Sequence, residues 1–108
     1  MTTALSILLL ILAAMLEVGG DALIRVGLRR SAVIWMIGGG IVLFVYGLAV
    51  NLPKWNFSRL MGVYIALFFV VSQIAAVLFF REKIAPPMLV AGALIVSGGV
   101  VLTVWHTQ

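Results

Sequence analysis

Four long apolar runs, separated by short polar breaks, constrain this chain more than any other feature. They span about Ala4–Val26, Ala32–Val50, Leu60–Phe80 and Pro87–Trp105. Each is roughly 19–23 residues long, against the ~20 that a helix needs to cross the hydrocarbon core of a bilayer. The chain has 108 residues, 65% hydrophobic and 9% charged, and a water-soluble domain of that size has too little interior to hide so much apolar surface. The expectation is an all-α membrane protein, one transmembrane domain over residues 1–108, held in the cell (inner) membrane. The breaks fit. Arg29-Arg30-Ser31 follows the first run, Asn51-Leu52-Pro53-Lys54 the second, and Arg81-Glu82-Lys83 the third. Pro87 suits the first turn of the last helix.

Charge placement predicts orientation. Arg25, Arg29, Arg30, Arg81 and Lys83 fall towards loops one and three, whereas Lys54 and Arg59 fall towards loop two. The excess of Lys and Arg marks the cytoplasmic side, so loops one and three are expected inside and both termini outside. Trp35, Trp55 and Trp105 stand near run ends, where their amphipathic rings favour the headgroup region. The leading Met1-Thr2-Thr3-Ala4 lacks the basic stretch of a secretory signal, so the first run reads as a retained helix.

Near the middle of the first run, with no charge before it, stands a carboxylate, Glu17. At bilayer depth an ionised acid costs at least ~2.5–3.5 kcal/mol, so it points to a function. On a helix, Leu10, Ala13, Ala14, Gly20, Asp21 and Ile24 share its face, and most of these are small or acidic. Small residues let a neighbouring helix or a ligand come close. Leu8, Ile11, Leu12, Met15 and Val26 occupy the opposite, lipid-facing side. Glu17 is therefore expected to face protein or a cavity and to take up a proton or a cation in turn. The competing reading is a helix-bonding acid with no transport role. Asp21 has two readings. Four residues before Arg25, it can form a helix-surface ion pair, or it can draw protons and cations towards Glu17.

In the third run Tyr64, Phe68 and Ser72 recur every four residues, followed by Gln73. Tyr64 can offer a hydroxyl to Glu17 or a ring face to a cation, or serve as an interfacial tyrosine. Gln73 reads as a helix–helix hydrogen-bonding residue. Gly62 and Ala66 form a small-residue pair. In the second run, Gly38-Gly39-Gly40 permits a bend or close packing, with Gly47 a heptad after Gly40. The fourth run has no ionisable group. Its stripe of Ala91, Leu94, Ile95 and Gly98 reads as a surface for oligomer packing.

No arrangement of these residues makes an enzyme. No nucleophile stands with a base, no phosphate loop occurs, and there is no cysteine. The single histidine, His106, lacks partners for a metal site. No metal and no cofactor are expected. The net charge of +4 lies in loops between helices and reads as a topology signal, so nucleic acid is not an expected partner.

Taken together these residues resemble the small multidrug resistance family of the drug/metabolite transporter superfamily, over essentially the whole chain. Ala14-Met15-Leu16-Glu17-Val18-Gly19-Gly20 is similar to the family's Ala-x-x-Glu-Val/Ile-x-Gly region, and Arg25 stands where a basic residue ends the first helix. Phe79-Phe80-Arg81-Glu82-Lys83, Pro87 and the stripe of Ala91, Leu94-Ile95 and Gly98 resemble its third loop and fourth-helix dimer contact. Where members carry Tyr-Ala-x-Trp, this chain reads Met61-Gly62-Val63-Tyr64. The resemblance implies an essential carboxylate at Glu17 and a proton-coupled antiporter that exports small organic cations of quaternary ammonium, guanidinium or polyamine type. Its partners would be protons, the cation, membrane lipid and a second subunit, either a homodimer or a heterodimer with a related four-helix chain. Four helices leave little room for a pathway in one copy, so two Glu17 side chains would share a central chamber. Tyr64 and Phe68 would offer ring faces to the cation. The alternatives are a non-transporting partner subunit or translocation of a lipid-linked substrate.

Overall fold

The computed structural model describes residues 2–105. His106 lies outside them. The described chain is all α-helix apart from its caps and turns: α1 (Thr3–Arg30), α2 (Val33–Val50), α3 (Phe57–Phe79) and α4 (Pro86–Val104). All four are long and apolar enough to cross a membrane.

Two helices are longer than the apolar runs. The Thr2 side chain caps α1 by accepting from the Leu5 N–H at 3.1 Å. At its other end α1 continues through the basic residues, because Arg29 and Arg30 in the last turn complement the negative end of the helix dipole. It stops where Ser31 turns left-handed at φ 54° and the Ala32 N–H donates back to the Gly27 carbonyl at 2.9 Å. Ser31 and Ala32 alone join α1 to α2. In α3 the start lies before Leu60, since Asn56 Oδ1 accepts from the Arg59 N–H at 3.1 Å and sets the first turn at Phe57. Pro86 and Pro87 open α4, where no N–H is needed.

The chain divides into two compact units, Met1–Pro53 and Lys54–Gln108. In the first, α1 packs on α2. The seam runs along α1 through Ser6, Leu10, Ala13, Glu17, Gly20, Ile24 and Gly27, alternating steps of four and three residues. The α2 side of the same seam is Met36, Gly39, Leu43, Tyr46 and Val50. Glycine closes it. A Cβ placed on Gly39 would lie 2.6 Å from the Gly20 carbonyl oxygen, and one on Gly20 would lie 3.0 Å from the Gly39 oxygen. The two backbones are therefore in near contact, as small residues allow in membrane helices. Of the three successive glycines only Gly39 serves this purpose. Gly38 and Gly40 face open space, and α2 runs through all three without a break.

In the second unit α3 packs on α4. Here glycines meet side chains: Gly62 faces Leu102, Gly99 faces Ala66, and Gly92 faces the Phe69 ring. Arg59 ties the ends together. Its guanidinium donates to the carbonyls of Leu102 at 3.0 Å and Thr103 at 3.2 Å, and lies 4.4 Å above the Trp55 ring. A cation thus sits on the negative end of α4, with its flat face on an aromatic ring.

Large apolar side chains cover the outside of all four helices. Ile34 is 77% exposed, Phe44 70% and Leu94 71%. A soluble monomer rarely shows so large a contiguous apolar surface, and lipid is its fitting solvent.

Candidate functional site

Glu17 occupies the middle of the α1 seam. The residues on either side of it in the seam are closed off: Leu10 and Ala13 are fully buried, as is Ala14, and Gly20 is buried against Gly39 and Leu43. Glu17 itself is half-buried. It lies one helical turn from the point where the two backbones come closest, so its Cα is fixed by packing that cannot be loosened without separating the helices.

The register of the hairpin brings a residue to the level of Glu17 that the sequence did not single out. Gly27 meets Met36, Ile24 meets Gly39, and Gly20 meets Leu43. Continuing that antiparallel register by one turn places Tyr46 on α2 opposite Glu17 on α1. Tyr46 is half-buried and follows Leu43 in the seam. The signal that could have found it is the heptad spacing of Met36, Gly39, Leu43, Tyr46 and Val50. It is hidden in a helix whose every face is apolar.

Asp21 differs from Glu17. It is exposed, as is Arg25 one turn further on. It therefore lies beside the seam and not within it, even though both acids belong to one broad face of the helix.

The remaining candidates lie in the second unit. Tyr64 is buried, at 4% exposure, and its ring centroid is 6.0 Å from that of Phe68 with the planes tilted by 32°. The two rings form one aromatic pair. Ser72 is half-buried and spends its hydroxyl on its own helix, donating to the Phe69 carbonyl at 2.8 Å. On α4 the inward face is Gly92 and Gly99, whereas Leu94 and Gly98 are exposed, Gly98 has nothing near it, and Ala91 and Ile95 are half-buried. Leu94 and Gly98 of the expected stripe therefore lie off the face that holds α4 to α3. Among the described residues no group of His, Cys, Asp and Glu could hold a metal ion.

One further polar group lies in the α1 seam. The Ser6 hydroxyl, 1% exposed, has no hydrogen-bond partner among the described residues. It is three turns from Glu17, too far for a direct contact.

Comparison with known proteins settles the family. Residues 3–108 match a family described as "Uncharacterised BCR, YnfA/UPF0060 family". A UPF0060 membrane protein of Rhodococcus erythropolis is 40% identical over 103 residues, covering 93% of this chain and 94% of its own. One from Mycobacterium marinum is 35% identical over 99 residues, covering 88% and 87% respectively. No solved structure matches. These matches overturn the small multidrug resistance assignment. The reason is physical. The segment from Ala14 to Gly20 that carried the likeness is an acid among small residues, and any membrane helix that brings a carboxylate into a close-packed seam needs that composition.

Proposed function

This chain belongs to the UPF0060 (YnfA) family of membrane proteins, and from that footing we propose that it exchanges protons for small organic cations across the membrane at Glu17. The observation that carries the reading is a single carboxylate at mid-helix, half-buried, in a seam whose other members are apolar, small or neutral. Such a group is stable when it holds a proton or when a cation lies against it, and the two states exclude one another. A proton gradient then drives cation movement in the opposite direction.

Tyr46, at the level of Glu17, offers a phenolic hydroxyl that can donate to the carboxylate when the proton has left. Asp21, exposed one turn nearer the basic end of α1, adds negative charge at the approach to the seam. Quaternary ammonium, guanidinium and polyamine compounds are the substrate classes to try first.

The test is uptake into proteoliposomes under an imposed pH gradient. Wild-type protein should show gradient-driven cation flux. Glu17→Gln, which keeps shape and hydrogen bonding but not the exchangeable proton, should lower that flux at least 100-fold while the protein stays folded. Equal flux in the two proteins would sink the mechanism. If no cation moves even with wild type, a non-transporting partner subunit becomes the better reading.

A further inference from the structure

Between α3 and α4 the structure holds an open cleft of about 640 Å³. Its walls are Phe69, Val70, Ile74, Val77 and Leu78 on one side and Met88, Leu89, Gly92 and Val96 among those on the other, with one polar side chain, Gln73. We propose that this cleft is the interface of a parallel homodimer, closed by a reciprocal hydrogen-bonded pair of Gln73 side chains.

Gln73 decides the occupant. It is half-buried, and among the described residues nothing hydrogen-bonds to its carboxamide. A lipid tail would satisfy the apolar walls but leave that amide unpaired in hydrocarbon, where no water can serve it. A carboxamide is its own complement, with donors on nitrogen and an acceptor on oxygen, so a second Gln73 satisfies the first. A two-fold interface meets this need because each residue of the patch meets its own image or a fixed partner. Buried amides fix register and partner number in helical assemblies in the same way.

Depth and charge select the parallel form. Gln73 lies five residues beyond Phe68, the middle of α3, which places it about 7.5 Å from the helix centre at a rise of 1.5 Å per residue. An axis along the membrane normal sets both copies at one depth. An axis in the membrane plane sets them about 15 Å apart, beyond any hydrogen bond. The basic residues independently favour the first arrangement. In the order of the four spans, Arg25, Arg29, Arg30, Arg81 and Lys83 fall towards loops one and three, whereas Lys54 and Arg59 fall towards loop two, and Arg59 already lies on the Leu102 and Thr103 carbonyls. Every copy then inserts the same way round. The exposed side chains of Ile74, Val77 and Leu78 at the lip provide apolar contact around the amide pair.

This surface is distinct from the Ala91, Leu94 and Gly98 stripe, which lies on another side of α4, and the two can be separated by experiment. The chain has no native cysteine, so single ones can be introduced. Reconstituted Val77→Cys should cross-link to its own copy under mild oxidation, because a parallel dimer brings the two residues together. Gly98→Cys should not. Gln73→Leu, labelled for energy transfer and diluted with lipid, should dissociate at a protein-to-lipid ratio at least 10-fold higher than wild type. The proposal is overturned if Gln73→Leu associates as well as wild type, if only Gly98→Cys cross-links, or if wild type is monomeric at every dilution. None of these readouts depends on Glu17 or on transport, so a transport failure leaves this result standing, and the reverse also holds.

Discussion

The two helical hairpins have similar lengths and opposite characters. In the first, a two-residue turn and Gly20 facing Gly39 bring the backbones together. In the second, residues 80–85 separate the helices, glycines meet side chains, and the pair opens into a cleft from Phe69 to Ile84. Loop length and the position of a few glycines, not overall hydrophobicity, make the difference. The closed hairpin fixes a carboxylate in place, while the open one leaves an amide unsatisfied. A membrane helix pair gains little from excluding lipid, so it closes only where small residues let backbones touch.

The contrast can be broken most strongly at Gly39. Gly39→Leu puts a side chain 2.6 Å from the Gly20 oxygen, which cannot retreat without parting α1 from α2, so a loss of about 3 kcal/mol is expected. In the open hairpin Gly92→Ala meets only the Phe69 ring, at 2.8 Å, and that ring can swing into the cleft. The loss there should stay under about 1 kcal/mol. Unfolding in mixed micelles would measure both, and equal losses would contradict the contrast. Next is Arg59→Ala, which removes the clamp on Leu102 and Thr103. A loss of about 1 kcal/mol is expected, since part of that clamp is solvent-exposed, along with faster amide exchange at the end of α4 only. Smallest is Gly40→Ala. Nothing lies within 4 Å of the added methyl, so stability should hold or rise by up to about 0.8 kcal/mol through helix propensity. A marked loss would show that α2 meets something at Gly40.

Four helices of membrane length were legible in the apolar runs, and the close-packed face of α1 was legible in the small residues around Glu17. Boundaries were less so. The caps at Thr2 and Asn56 lie just outside the apolar runs, and the basic end of α1 reads as a loop until the dipole is considered. Tyr46 was missed because its importance comes from register across two helices, which one strand of sequence does not encode. Which of Gly38, Gly39 and Gly40 makes the contact was undecided for the same reason, since rotation by one residue changes the partner. On α4 the stripe of Ala91, Leu94, Ile95 and Gly98 was read as an oligomer surface, whereas the face towards α3 is made by Gly92 and Gly99, because a helix approaches where side chains are absent.

The two-residue turn between α1 and α2 bears on how the protein is made. Helices joined so tightly are expected to enter the membrane together as one hairpin, with Arg29 and Arg30 at its turn. The acid at Glu17 would then not be delivered to the lipid by itself. On that expectation it arrives shielded by the helix synthesised next, and a chain halted before α2 emerges would leave the acid without its cover.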